Sequence, residues 1–538
     1  NVVKPDKEAI KDVTPAKLQE YPMYTSIKNK VISMPGLTNG AIIDYSYTLT
    51  PKEYLLKEDF AFSWQFRYRQ PIINSYFKIS FPEDMKVRWT DFGADLPPEE
   101  NTENKKKVLV WELQDLQKIK REPAMPPTWR ISEKVLVTSV ESWERFARDA
   151  WRLFEGRAEP GKAIEKKVKQ LTKGLDDKNE KIHALYNYVA TKIRYVAIEL
   201  GRGGYQPHKA EKTFHNKYGD CKDKATLLVS MLSVAGIEAH PVLVHAVLNG
   251  KTNFQEPPPG RGFNHAIVAV ENGEGFLLLD PTCDTCPHHY LAAMDRNKKV
   301  LALVPRGNNV KKIIESPPLD PQKSKVNVRQ SVNLTKEGDL KTSVQIEHRG
   351  HFNSSLKSLL ERWSKIRQKR FYRGVLSQLE SGARLEKFSH SDLEDLDENL
   401  KISLSYKKTR YADELGNSLI FKTPSSLRIP LDRSYGQYVS LPQKRREYPL
   451  LLVPATLKNK IIINYPREME LTVPDGLDID MKWGSYKSTY KSKEEGKLIV
   501  VRNFMIKEPS IPLRNYSDFQ KLINRMRKEK QSQLQIRD

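Results

Sequence analysis

The stretch from Phe263 to Pro281 constrains the fold of this chain more than any other. Phe263-Asn264-His265-Ala266-Ile267-Val268-Ala269-Val270 and Gly275-Phe276-Leu277-Leu278-Leu279-Asp280-Pro281 read as two strands around Glu271-Asn272-Gly273-Glu274. Asn-Gly is the preferred pair for a two-residue type I′ hairpin turn. With Asn272-Gly273 as the turn, Glu271 faces Glu274, Val270 faces Gly275, and His265 lies directly opposite Asp280. Directly opposed side chains have Cβ atoms about 5 Å apart, so the carboxylate is expected to hold one imidazole nitrogen and leave the other free.

A second stretch offers a partner for that free nitrogen. Tyr218-Gly219 reads as a turn into a helix whose apolar stripe is Ala225, Leu228, Val229 and Leu232, ended by Gly236. Asp220 is a good N-cap, because its carboxylate can accept from the orphan amides of the first turn. Cys221 then occupies the first helical position. There the positive end of the helix dipole, with Lys222 and Lys224 nearby, favours thiolate over thiol. On local sequence alone, a small core residue that happens to begin a helix is an equally good reading. A histidine held by an acid is what a cysteine nucleophile needs for its base, so the hairpin raises the catalytic reading above the structural one.

Gly219-Asp220-Cys221-Lys222-Asp223-Lys224-Ala225, followed by Asn264-His265-Ala266 and Leu279-Asp280-Pro281-Thr282, resembles the transglutaminase-like superfamily, relatives of papain-type cysteine enzymes. Ile193-Arg194-Tyr195-Val196, Glu199-Leu200-Gly201, Gly204-Tyr205-Gln206-Pro207-His208 and Lys217-Tyr218-Gly219-Asp220 resemble, more closely, a bacterial subfamily with β domains of unknown function on both sides of that core. The likeness spans essentially the whole chain and is specific over residues 180–285. It implies a multidomain α+β protein, with a papain/transglutaminase-like α+β core flanked by antiparallel β-sandwich domains. It also implies Cys221 as nucleophile, His265 as base and acid, and Asp280 as the histidine's orienter, with no cofactor. The implied location is the bacterial periplasm or cell envelope. The chain opens on Asn1 rather than a methionine, in keeping with an exported protein whose leader is absent from this sequence.

At 538 residues the chain is too long for a single core. The expected division is a lead-in over 1–30, a β-sandwich over 31–140, the cysteine core over 141–318, a second β domain with one long helix over 319–445, and a C-terminal β domain ending in a helix over 446–538. No apolar run approaches the ~18 residues of a membrane span. Lys and Arg number 90 against 67 Asp and Glu, a formal charge of +23. The basic residues are scattered, with short clusters such as Lys105-Lys106-Lys107 and Lys444-Arg445-Arg446, and acids interrupt them from Asp392 to Glu398. No nucleic-acid motif accompanies them. The charge therefore reads as a solvated surface able to make peripheral contact with an anionic envelope surface, and nucleic acid is not the expected partner.

Three cysteines cannot staple a scaffold, so the domains must rely on ordinary cores. Cys283 and Cys286 form a C-x-x-C pair followed by His288 and His289. A local disulfide, two free thiols and a metal site are all open readings, with Cys283 and Cys286 weak metal candidates because structural zinc usually gathers two such pairs.

Several short alternating runs point to strands in the N-terminal part: Ala41 to Thr48, Phe60 to Phe66, Tyr76 to Phe81 and Val108 to Trp111. Tyr45, Tyr47, Trp64 and Phe66 read as a core face more readily than as a sugar-stacking platform. Helices are expected over 142–155, 163–172 and 179–193, the last with Ile182, Leu185, Tyr186, Val189 and Ile193 along one face. The insert Gln255-Glu256-Pro257-Pro258-Pro259-Gly260-Arg261-Gly262 reads as a loop bordering a cleft or a plain exposed connector. Farther on, one helix is expected over 354–379, with Leu356, Leu359, Trp363 and Ile366 opposing Lys357, Lys365, Arg367 and Lys369. The final helix is expected to start at a Ser517/Gln520 capping box and to fray after Arg527.

The chemistry expected of such a chain is acyl transfer on amide bonds through a Cys221 thioester, with main-chain amides at the helix start receiving the oxyanion. Tyr205 or Gln206 is the candidate side chain to complete that oxyanion hole. Water would complete hydrolysis of a peptide or isopeptide bond, and an amine would complete transamidation; the substrate is a peptide, protein or cell-wall amide. The rival reading is a non-catalytic envelope protein whose β domains bind glycan, peptide or a partner protein.

Overall fold

The computed structural model describes residues 2–13, 28–50, 59–197, 204–250, 252–255, 258, 262–273, 275–307, 309–424 and 444–537. The central core is built as helices first and a sheet second. Ser142 accepts from the Arg145 amide at 3.2 Å and starts a helix over Trp143–Phe154. A second helix covers Lys162–Leu171. Asp177 accepts from Asn179 and Glu180 and starts a third over Lys178–Lys192. Ala210–Asn216 and Cys221–Val234 follow. The Trp143, Lys162, Lys178 and Cys221 starts lie within two residues of the expected ones, whereas the short helix Ala210–Asn216 was not expected.

A five-stranded antiparallel sheet supports these helices, in the order Gly275–Leu279, His265–Asn272, Ala239–Val244, Lys299–Arg306 and Asn309–Glu315. The Cys221 helix lies across it. Leu227, Leu228, Met231 and Leu232 are fully buried in one cluster with Val268, Val270 and Leu279. Burying one such side chain contributes roughly 1.5–3 kcal/mol, so this seam fixes the helix on the hairpin with far more than one kcal/mol. Lys224 sits on the opposite side with no exposure, its Nζ donating to Ala190 O at 3.1 Å and Ile193 O at 2.6 Å. It thereby ties the end of the Lys178–Lys192 helix to the start of the Cys221 helix.

The N-terminal unit has two three-stranded antiparallel sheets. One runs Ala61–Gln65, Lys134–Thr138, Arg88–Phe92, and the other Ile72–Pro82, Lys106–Leu116, Glu99–Glu103. Phe77 stacks on Trp64 at 5.6 Å and on Trp111 at 5.4 Å between them. The run Ala41 to Thr48, expected as a strand, is not in a strand and is exposed. A period-two pattern marks a face but names no neighbour to pair with. Trp64 and Phe66 pack in or against this core, whereas Tyr45 and Tyr47 remain in solvent.

Strands from the segments expected as the second and C-terminal β domains join in one eight-stranded sheet. The join is the parallel pair Lys325–Leu334 and Ala455–Asn464. The expected single long helix is two, His351–Glu361 and Lys365–Leu379, because Ser364 accepts from Arg367 N and begins a new helix. Gln368 Nε2 donates to Leu360 O at 2.9 Å and Trp363 O at 3.2 Å, satisfying carbonyls at the break. Lys357, expected on the solvated face, is fully buried and donates to the carbonyls of Asp395 and Glu398. The final helix spans Tyr516–Lys530 with Asn515 at its N-cap, so Ser517 is inside the helix and no capping box forms there. The chain does not fray after Arg527. Gln533–Arg537 is a strand between Ser418–Lys422 and Glu470–Thr472, partners far away in sequence. Among the described residues no helix is long and apolar enough to cross a membrane.

Lys224→Met should leave the Ala190 and Ile193 carbonyls without their donor and destabilise the fold by about 1–3 kcal/mol. Urea denaturation of the full chain measures this, and an unchanged midpoint would show that the buried amine does not join the two helices.

Candidate active site

The site begins at a helix N-terminus with two buried carboxylates. Asp220 Oδ1 accepts from Asp223 N, and Asp223 Oδ2 accepts from Asp220 N, both at 3.2 Å, a reciprocal capping box. Lys222 Nζ closes on Asp220 Oδ2, and His208 donates its backbone N–H to Asp223 Oδ1 at 2.7 Å. Burial first, and then the charge of Asp223, push the Asp220 carboxyl up. Burial also works against ionised Asp223, but the hydrogen bonds and charge of His208 hold it below the usual carboxylate range. Gly219 must be glycine, since a Cβ there would lie 2.6 Å from Asp223 Cβ. Cys221 is consequently the first residue of the helix, unpaired with any other cysteine and 5 % exposed. The amines of Lys222 and Lys224, expected beside the sulfur, go instead to Asp220 and to the Ala190 and Ile193 carbonyls.

The hairpin register differs from the expected one by two residues. Asn272 pairs with Gly275 and Val268 with Leu279, so Asn272 belongs to the strand and Gly273, at φ +60°, carries the first turn position. Glycine adopts that backbone without strain, which is what a primed turn asks of its first central residue. Glu274 lies outside the described residues. His265 and Asp280 are therefore diagonal neighbours, not a directly opposed pair. A slip of two keeps both side chains on the same face of the pleat, and diagonal positions remain within reach of a long or aromatic side chain. His265 Nε2 lies 3.3 Å from Asp280 Oδ2.

The structure brings Cys221, His265 and Asp280 together. Asp280, buried, accepts at Oδ1 from Thr282 N at 3.0 Å and Thr282 Oγ1 at 2.7 Å, which leaves Oδ2 for the imidazole. Burial favours neutral His265, but Asp280, by charge and hydrogen bonding, and Cys221 after it, raise the imidazole well above the ordinary histidine range. Burial also disfavours ionised Asp280, and the charge of His265 and the Thr282 hydrogen bonds outweigh it, holding that carboxyl low. With Nε2 engaged by the carboxylate, Nδ1 is the ring nitrogen left to Cys221. This combination can generate a nucleophilic sulfur and deliver a proton to a leaving group.

Tyr205 and Gln206 are half-buried. They precede His208, whose bond to Asp223 brings that segment to the start of the Cys221 helix. Glu199, Leu200 and Gly201 lie outside the described residues, as does most of the proline-rich insert before His265. Cys283 and Cys286 are disulfide-bonded to each other, which removes them as metal ligands.

One group escaped the sequence reading. Asp295, in a short 3₁₀ turn over Ala293–Asp295, offers a carboxylate oxygen within 4.8 Å of ligand atoms of both His265 and Asp280. It is 1 % exposed, and its Oδ1 has no hydrogen-bond partner. Burial, and then the charge of Asp280, push its carboxyl up to about 7. No local pattern marks this aspartate, because it lies beyond the hairpin and reaches the site only through the path of the following loop.

Comparison with known proteins agrees with this architecture. Residues 165–281 match the transglutaminase-like superfamily. Residues 1–120 and 428–536 match two domains of unknown function, DUF3857 and DUF3858. The chain thus carries a transglutaminase-like core flanked by these two domains. A crystal structure named "putative protease from Parabacteroides distasonis ATCC 8503" is 16 % identical, with a TM-score of 0.66 over 100 % of this chain and 86 % of its own, and so has the same fold. A "putative cysteine protease from Cytophaga hutchinsonii" is 12 % identical over 48 % of this chain and 84 % of its own, with a TM-score of 0.22. Red sea bream transglutaminase is 9 % identical over 82 % of this chain and 91 % of its own, with a TM-score of 0.18. Scores that low carry no argument for this chain. No curated protein matches the chain.

Asp295 makes a pH dependence checkable. Its carboxyl titrates near 3.8 when unfolded and at about 7 when folded. The folded state therefore holds the extra proton, so this group's contribution is complete below the unfolded value and is lost as pH rises toward the folded one. Wild type should lose at least about 1 kcal/mol more stability than Asp295→Asn between about pH 5 and about pH 8. Equal slopes in urea denaturation would refute the assignment.

Proposed function

We propose that this protein performs cysteine-dependent acyl transfer on amide bonds, as peptide or isopeptide hydrolysis or as transamidation, through a thioester on Cys221. The observation that carries the reading is the buried set Cys221, His265 and Asp280, with Nε2 of the imidazole 3.3 Å from the carboxylate and both Asp280 and Cys221 favouring the charged ring. His265 takes the Cys221 proton, and the sulfur attacks the amide carbon. The oxyanion is received by main-chain amides at the helix start, with Tyr205 or Gln206 as the side chain to complete the hole. His265 then protonates the leaving amine, and water or an acceptor amine releases the acyl group from sulfur.

The substrate class is a peptide, protein or cell-wall amide. Location in the bacterial envelope is supported by the Cys283–Cys286 disulfide, since disulfides persist in oxidising compartments. The net charge of +23 supports peripheral contact with an anionic envelope surface.

The test is turnover of a library of peptides and cell-wall fragments by wild type and by Cys221→Ala. Wild type should release amine from at least one member, and Cys221→Ala should stay folded and inactive. Asp280→Asn should keep the fold and lose about two to four orders of magnitude in rate, as the histidine loses its orienting charge. At mildly acidic pH, an electrophilic thiol probe should label Cys221 in wild type faster than in Asp280→Asn. No turnover, together with equal slow labelling, would leave the binding-protein reading standing and end this one.

A further inference from the structure

One helical turn from the Tyr186 contact to the Asp280 carbonyl, a second cluster of ligating side chains joins two parts of the molecule. His183, from the Lys178–Lys192 helix, His288, from the loop after the disulfide, and Asp397, from the acidic loop of the next β unit, each offer one ligand atom within 4.8 Å of the other two. We propose that His183, His288 and Asp397 bind a divalent ion of the zinc class that pins the transglutaminase-like core to the β unit following it. Imidazole and carboxylate donors suit such an ion, and three protein ligands with an open fourth position is a common zinc arrangement.

The distances suit it. Zinc–ligand bonds of about 2.0–2.1 Å at tetrahedral angles place neighbouring ligand atoms about 3.3 Å apart and the centroids of two bound imidazoles about 5 Å apart. His183 and His288 ring centroids are 5.1 Å apart at an interplanar angle of 67°. His183 Nε2 is 2.7 Å from Asp397 Oδ2, so metal entry widens that pair by only a fraction of an ångström. Unmet polar atoms gather at the same place. His288 Nδ1 and Asn187 Oδ1 are buried without hydrogen-bond partners, while Asn187 Nδ2 lies 2.9 Å from His183 Nε2. A cation would take up an imidazole lone pair that the protein leaves unanswered. A water would fill the fourth position.

The scaffold around the cluster is already ordered. Leu396 is buried in the core cluster of the transglutaminase-like domain. Fully buried Lys357 donates to the Asp395 and Glu398 carbonyls on either side of Asp397. Asp395 Oδ1 accepts from the Asp397 amide at 2.9 Å. One turn along the helix from His183, Tyr186 OH lies 3.0 Å from Asp280 O and 3.2 Å from Cys286 O. The ion would therefore stand one helical turn from the contact that holds the triad aspartate's backbone.

Untagged full-length Cys221→Ala protein, which lacks the competing active-site thiol, is stripped with chelator and dialysed against zinc chloride. Metal content should reach one equivalent, thermal unfolding should shift up by several degrees, and His288→Gln or Asp397→Asn should weaken binding at least about tenfold. The stripped parent loaded with cobalt should give the intense visible bands of four-coordinate nitrogen and oxygen ligation, a readout that requires no second variant to fold. Substoichiometric zinc at tens of micromolar, weak octahedral cobalt bands, or binding undiminished in His288→Gln would each overturn the site, the last by moving the ion elsewhere, for example to Glu238, His240 and Glu271.

Discussion

Two buried aspartates at the start of one helix hold the rest of the site in place. Asp220 and Asp223 cap each other's main-chain amides, and each recruits one further partner, Lys222 and His208. Carboxylates at a helix N-terminus satisfy orphan N–H groups and lie favourably in the dipole, which offsets much of the cost of burying them. The consequence for Cys221 is positional. It is held at the first turn of a helix that Leu227, Leu228, Met231 and Leu232 fasten to the sheet. The same box reaches upstream through His208 and so brings the Tyr205–Gln206 segment to the helix start.

The second constraint is the pleat of the sheet. His265 and Asp280 meet because they occupy one face of adjacent strands, and any even register preserves that. The register itself shifted by two when Gly273, rather than Asn272, took the first turn position. A shift of one would have separated the pair. Asp280 gains its orientation from Thr282, two residues along, which leaves its other oxygen for the histidine. Asp295 adds a second buried carboxyl beside the pair, whose charge state changes the field that His265 experiences.

Around this core, β units on both sides are made by different means. The N-terminal unit closes on a stack of aromatic rings between two small sheets. The C-terminal part forms one large sheet whose parallel central pair brings together strands more than a hundred residues apart, and Gln533–Arg537 closes a separate four-stranded sheet. The acidic loop of that part inserts Leu396 into the transglutaminase-like core. That contact places Asp397 beside His183.

Short-range chemistry explains what was legible in the sequence. The cap at Asp220, the glycine at 236, the apolar stripe of Ile182 to Ile193 and the alternation of His265 to Val270 each act within a few residues, so the core helices, the hairpin and the Cys221–His265–Asp280 set could be read from them. Where distant partners decide, the sequence was silent or pointed elsewhere. Lys357 looked solvated until two carbonyls from the loop around Asp397 buried it, and the residues after Arg527 looked loose until Ser418–Lys422 paired with them. The run at Ala41 to Thr48 had a strand's pattern and found no strand to join. Asp295 carries no signal at all, because a carboxyl becomes part of a site only when another segment's charge and burial surround it. Local hydrogen-bond demand is written residue by residue; burial and pairing across the chain are properties of the folded whole.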